Sequence, residues 1–119
     1  MSLAERIRRS IALYGDDIVV TVRGEPVNGK AFIEPLRYKN RMYIGGKRIE
    51  PGYYDGGHYL YIGQHTIPLD DIHNTVISRG EEKFCVKRAE MYKLGNESIY
   101  VWAIIVTYRE KEDIDYDRY

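Results

Sequence analysis

Three histidines, a lone cysteine and a scatter of carboxylates are the residues of this chain whose types could do chemistry. His58, His65 and His73 lie near Asp55, Asp70 and Asp71 in sequence. Imidazole with carboxylate is a metal-ligand set, but ligands must converge in space, and these sit at irregular spacing on separate turns. No metal is expected. Cys85 falls inside the strand-like run Phe84-Cys85-Val86, where an inert thiol is expected rather than a nucleophile. Neither a G-x-S-x-G elbow nor a phosphate or dinucleotide glycine loop occurs. Gly45-Gly46 and Gly56-Gly57 read as turn glycines. Catalysis has no candidate constellation, and a non-enzyme without cofactors is expected.

The chemistry that remains is that of binding. Residues 37–57 read RYKNRMYIGGKRIEPGYYDGG and set Arg37, Lys39, Arg41, Lys47 and Arg48 against only Glu50 and Asp55. Tyr38, Tyr43, Tyr53 and Tyr54 are interleaved with those cations. Basic and aromatic residues together suit contact with a nucleic-acid backbone. Tyr and Arg are also the residues enriched in protein interface hot spots, and protein contact is the favoured expectation. The whole chain holds twelve tyrosines and two phenylalanines. A ring with a hydroxyl suits half-wet interfaces, although ordinary strands also use tyrosine. Zero formal net charge argues against a globally basic nucleic-acid coat.

These residues must be positioned by a scaffold, and its centre is the stretch Ser98 to Tyr108. It is rich in β-branched and aromatic residues and has no charge, Gly or Pro. With a period of two, Ile99, Val101, Ala103, Ile105 and Thr107 share one face, and Tyr100, Trp102, Ile104, Val106 and Tyr108 the other. Both faces are mainly apolar, so the run predicts a strand covered on both sides. Ahead of it, Ser2 to Tyr14 predicts an amphipathic helix with a Ser2/Glu5 capping box and Gly15 as its C′ stop. Leu3, Ile7, Ile11 and Tyr14 mark its expected buried face, which is expected to lie on the sheet and cover one face of the late strand. Strands are expected over 18–23, 30–36, 59–62, 75–78 and 83–92. In the last of these, Phe84 and Val86 have one parity and Ala89 and Met91 the other, which predicts a bulge near Lys87-Arg88.

The expected fold class is therefore mainly β: a small antiparallel β-barrel or sandwich with an N-terminal amphipathic helix. A long inserted loop or β-ribbon spans 37–57, with Gly45-Gly46 at the tip of the ribbon form. One domain covers 1–109, and an acidic tail covers 110–119. No apolar run is long enough to cross a bilayer, and the start lacks a signal-peptide core, so a soluble protein made in the cytoplasm is expected.

The order of parts suggests a family. The segment Lys30-Ala31-Phe32-Ile33-Glu34-Pro35-Leu36-Arg37-Tyr38 leads into the insertion. Then come Glu82-Lys83-Phe84-Cys85-Val86-Lys87-Arg88-Ala89-Glu90, a Gly turn, and Ile99-Tyr100-Val101-Trp102-Ala103. Over residues 18 to 109 the pattern resembles the small head–tail joining, or stopper, proteins of tailed phages and of phage-like elements in Gram-positive genomes.

The resemblance implies a barrel protomer that closes into a homo-oligomeric ring in a virion or phage-tail-like particle. Its partners would be portal or adaptor proteins on one side and tail-tube or tail-terminator proteins on the other, with DNA in the channel of a complete phage. By position, the channel or partner loop would be the 37–57 insertion. Tyr100, Trp102, Tyr108, Tyr116 and Tyr119 are the expected subunit-interface residues. The competing reading is a monomeric small-barrel nucleic-acid-binding module that uses the same basic, tyrosine-rich loop.

Overall fold

The computed structural model describes residues 2–36, 43–44, 47–48 and 57–108. Its scaffold consists of a helix α1 (Leu3–Tyr14) and the strands β1 (Asp16–Val22), β2 (Glu25–Pro35), β5 (His58–Gln64), β6 (Thr75–Arg79), β7 (Glu82–Leu94) and β8 (Glu97–Thr107). A separate pair, β3 (Tyr43–Ile44) and β4 (Lys47–Arg48), lies within the insertion. The six main strands close into a barrel in the order β1-β2-β5-β8-β7-β6, with every neighbouring pair antiparallel. Of the two architectures expected, the barrel is the one adopted. Closure gives each of the six strands a neighbour on both sides over part of its length, which limits exposed edge.

Short turns and strand alternation account for most of this topology. Arg23 and Gly24 both have positive φ (52° and 84°), as a two-residue primed turn requires, so β1 and β2 form a tight hairpin. β2 consequently starts at Glu25 and carries Pro26 opposite Thr21, earlier than the sequence suggests. Inward residues Ile18, Val20, Ala31, Ile33, Tyr61, Ile77, Phe84, Val86, Val101, Ala103 and Ile105 make one core. Ile67 and Leu69, from the β5–β6 connection, complete it.

The parity break in β7 is resolved by a bulge. Val86 pairs with Ile105 and Arg88 with Ile104, so Lys87 is the extra residue. Phe84 and Val86 before it, and Ala89 and Met91 after it, can then all face inward.

The helix departs from expectation in two ways. Its capping box forms as predicted, with Glu5 N–H donating to Ser2 Oγ and Ser2 N–H to a Glu5 carboxylate oxygen. The buried residues, however, are Ala4 and Ile11, while Leu3 and Tyr14 are 58% and 72% exposed. The reason is where the helix sits. β5 ends at Gln64, opposite Tyr100, whereas β2 and β8 run on past it. α1 packs against β2, β5 and β8, and Arg8 Nε donates to the Ser98 carbonyl at 3.1 Å. It thus meets β8 beside Ile99, a core-facing residue, and does not cover the opposite face of that strand.

Gly15 also differs. Its φ is −67°, not left-handed, and a Cβ there would fall 2.9 Å from Ala31 N. Small size, rather than an unusual φ, is what this position needs.

Candidate functional site

β8 presents two faces with different fates. Ile99, Val101, Ala103 and Ile105 are sealed, at 1% exposure or less. Tyr100, Trp102, Ile104, Val106 and, beyond the strand, Tyr108 are all only half-buried. The register shows what stands beside them. Phe32, Ile62 and Trp102 form one row across β2, β5 and β8, and Leu60 and Ile104 form the next. Val106 follows, opposite Cys85 on β7. The outer wall of the barrel over β2, β5 and β8 is therefore a continuous apolar patch of half-buried side chains. Such a patch on an outer wall is a candidate contact surface.

Charged and aromatic residues frame it. Glu34 lies opposite Leu60 on one side, and Arg88 and Glu90 lie opposite Ile104 and Trp102 on the other. The Arg88 guanidinium sits 5.4 Å from the centroid of the Trp102 ring and pairs with Glu90 at 2.7 Å. An exposed pair of this kind contributes little to stability, but it fixes the cation over the indole face. Tyr92 and Tyr100 stack at 4.9 Å with 21° between their rings, extending the aromatic surface toward the β7–β8 turn. Apolar and aromatic centre with an ionic rim is the anatomy of a protein interface.

Tyr108 stands apart from this patch. Its N–H donates to the Lys83 carbonyl, and it lines a separate cleft with His73, Asn74, Val76, Cys85 and Lys87. Of the other expected interface residues, Tyr116 and Tyr119 lie outside the described residues. So do Arg37, Tyr38, Lys39, Arg41, Tyr53 and Tyr54 from the insertion. Tyr43 pairs antiparallel with Arg48 and Ile44 with Lys47, while the expected tip, Gly45-Gly46, lies outside the described residues.

The base of the insertion is well fixed. Pro35 pairs with Tyr59, and Leu36 N–H donates to the His58 carbonyl. At the same rim, Thr107 N–H donates to Gly57 O, so Leu36, Gly57 and the end of β8 meet there.

The histidines fall on separate elements. His58 starts β5, His65 follows it beside α1, and His73 lies in a single 3-10 turn. Among the described residues no group of His, Cys, Asp or Glu is placed to hold a metal ion. Among those same residues no helix is long and apolar enough to cross a membrane.

Sequence reasoning missed Tyr61. Its ring is fully buried inside the barrel and curls along its own strand over Gly63, where a Cβ would collide with the ring. Its hydroxyl has no hydrogen-bond partner, and burial pushes its pKa up. No family model, curated protein or solved structure matches this chain.

Proposed function

We propose that this chain is a structural neck protein of a phage or phage-tail-like particle: a head–tail connector, stopper or collar that assembles as a ring around the central channel. The observation that carries the reading is the apolar outer wall centred on Trp102, Ile104 and Ile62, whose side chains the described barrel and helix bury only in part. Copies arranged around an axis would bury it. Fully burying a large apolar side chain stabilises by roughly 1.5–3 kcal/mol, so a few such residues suffice to hold neighbours together. A closed barrel suits the role, because its wall can meet a neighbour without opening a sheet edge. The 37–57 insertion, rooted at one rim, would then serve as the element that reaches the channel or an axial partner. That assignment draws on the resemblance of residues 18–109 to stopper proteins.

Deletion of the gene from its own element tests this. Electron microscopy should show heads and tails unjoined, or tails without a collar. The wild-type gene supplied in trans should restore joining, and a Trp102→Glu, Ile104→Glu copy should not. Normally joined particles without the gene would refute the proposal.

A further inference from the structure

The rim opposite the insertion carries a cleft that the outer wall does not account for. It has a volume of about 330 Å³ and lies between α1 and the end of β5. Glu5, Arg8, Arg9 and Ala12 line it from the helix, and His65 and Ile99 from the barrel. Glu5 is occupied by the capping box, and Arg8 by the Ser98 carbonyl and Glu97. Arg9, and Arg6 beside it on the helix, are exposed, and neither has an ion-pair partner among the described residues. The cleft thus combines an apolar floor with unpaired positive charge at its mouth.

The chain contains one segment of complementary chemistry. Residues 110–117 read EKEDIDYD, with Ile114 and Tyr116 spaced between carboxylates. We infer that this acidic segment of one copy docks in the α1 cleft of a neighbouring copy, with Ile114 or Tyr116 over Ala12 and Ile99 and its carboxylates facing Arg6 and Arg9. Docking within one copy is opposed by geometry. Ile99 lies near the start of β8 and Tyr108 just past its end, ~30 Å apart at strand rise. From Tyr108 a fully extended chain reaches at most ~22 Å by Ile114, well short of the cleft. By Tyr116 it reaches at most ~29 Å, and would arrive only with every residue stretched straight back along the barrel. A contact that leaves one end of a protomer and enters the other end of the next is heterologous, the kind that closes rings. The docking presupposes the ring reading and names a second contact within it.

The test replaces Tyr116 with the photocross-linking amino acid benzoylphenylalanine in the full-length chain. Light-isotope and heavy-isotope copies are mixed, irradiated and mapped by mass spectrometry, both as concentrated protein and within assembled particles. The expected product joins a light chain to a heavy one, from position 116 to α1 or His65. Its yield should fall as salt rises and drop about fivefold in Arg9→Glu. Mixing Arg9→Glu copies with Asp115→Arg copies should recover part of it.

Cross-links within a single copy, to any other surface, or none at all would overturn the docking. Displacement by an unrelated acidic peptide or an oligonucleotide as effective as a 109–119 peptide would also overturn it, making the cleft a general anion site. Trp102→Glu, Ile104→Glu scored in the same samples keeps the two ideas separate. Assembly that depends on those residues without the 116 cross-link would leave the ring standing and remove only the docking.

Discussion

Tyr61 and Gly63 are joined by a constraint that neither residue reveals alone. They sit two apart on β5, so both face the barrel interior, and the tyrosine ring takes the space a side chain at 63 would need. Gly63→Ala forces the ring or the strand to move in a closed core, and a loss of about 2 kcal/mol is expected in chemical denaturation. Tyr61→Phe removes a hydroxyl that is buried without a partner, so stability should hold or rise by up to ~1 kcal/mol at neutral pH. The pH dependence carries a sign. Burial raises the phenol pKa above its unfolded value near 10, so the folded state keeps a proton that the unfolded state releases. Stability is therefore intact below about pH 10 and lost as pH climbs beyond it, a loss Tyr61→Phe should lack. Any gap between the denaturation midpoints of the two proteins should stay constant from neutral pH to about 10 and widen only above it.

At the scale of elements, local signals in the sequence went far because β1–β2, β6–β7 and β7–β8 are each joined by a two-residue turn. Gly80 and Gly95 mark the β6–β7 and β7–β8 turns, and the alternation around them places the core residues. The bulge was legible because Phe84, Val86, Ala89 and Met91 cannot share a face without one extra residue. Lys87 contributes a backbone count rather than a side chain. Lys87→Ala should therefore be nearly neutral, within about 0.5 kcal/mol. Deleting Lys87 brings Val86↔Ile105 and Arg88↔Ile104 into one unbroken ladder with Phe84, Val86, Ala89 and Met91 still facing inward, so cooperative unfolding should survive. Inserting one residue after Lys87 leaves two extra residues in the strand and should cost more than the deletion.

The helix face was not legible, since periodicity favours Leu3, Ile7, Ile11 and Tyr14, whereas the shortfall of β5 selects Ala4 and Ile11. Only the strand lengths across the barrel decide that, and they are a tertiary property. Ser2→Ala removes the cap and should cost about 1 kcal/mol, read from the denaturation midpoint.

For the molecule as a whole, what matters is that the outer wall over β2, β5 and β8 holds more apolar surface than its own barrel and helix cover. The sequence already pointed to this through the two apolar faces of residues 98–108. It did not reveal that Phe32, Leu60 and Ile62 stand beside Trp102 and Ile104, because strand order across a closed barrel joins residues seventy positions apart. Trp102 is the chain's single tryptophan, so its fluorescence reports on that wall alone. The most direct measurement is acrylamide quenching of this emission in the free chain and after incorporation into assembled particles. Burial of the wall between copies predicts ready quenching when free, then a blue shift and strong protection on assembly. Trp102 emission and quenching that stay unchanged in the assembled state would contradict the account.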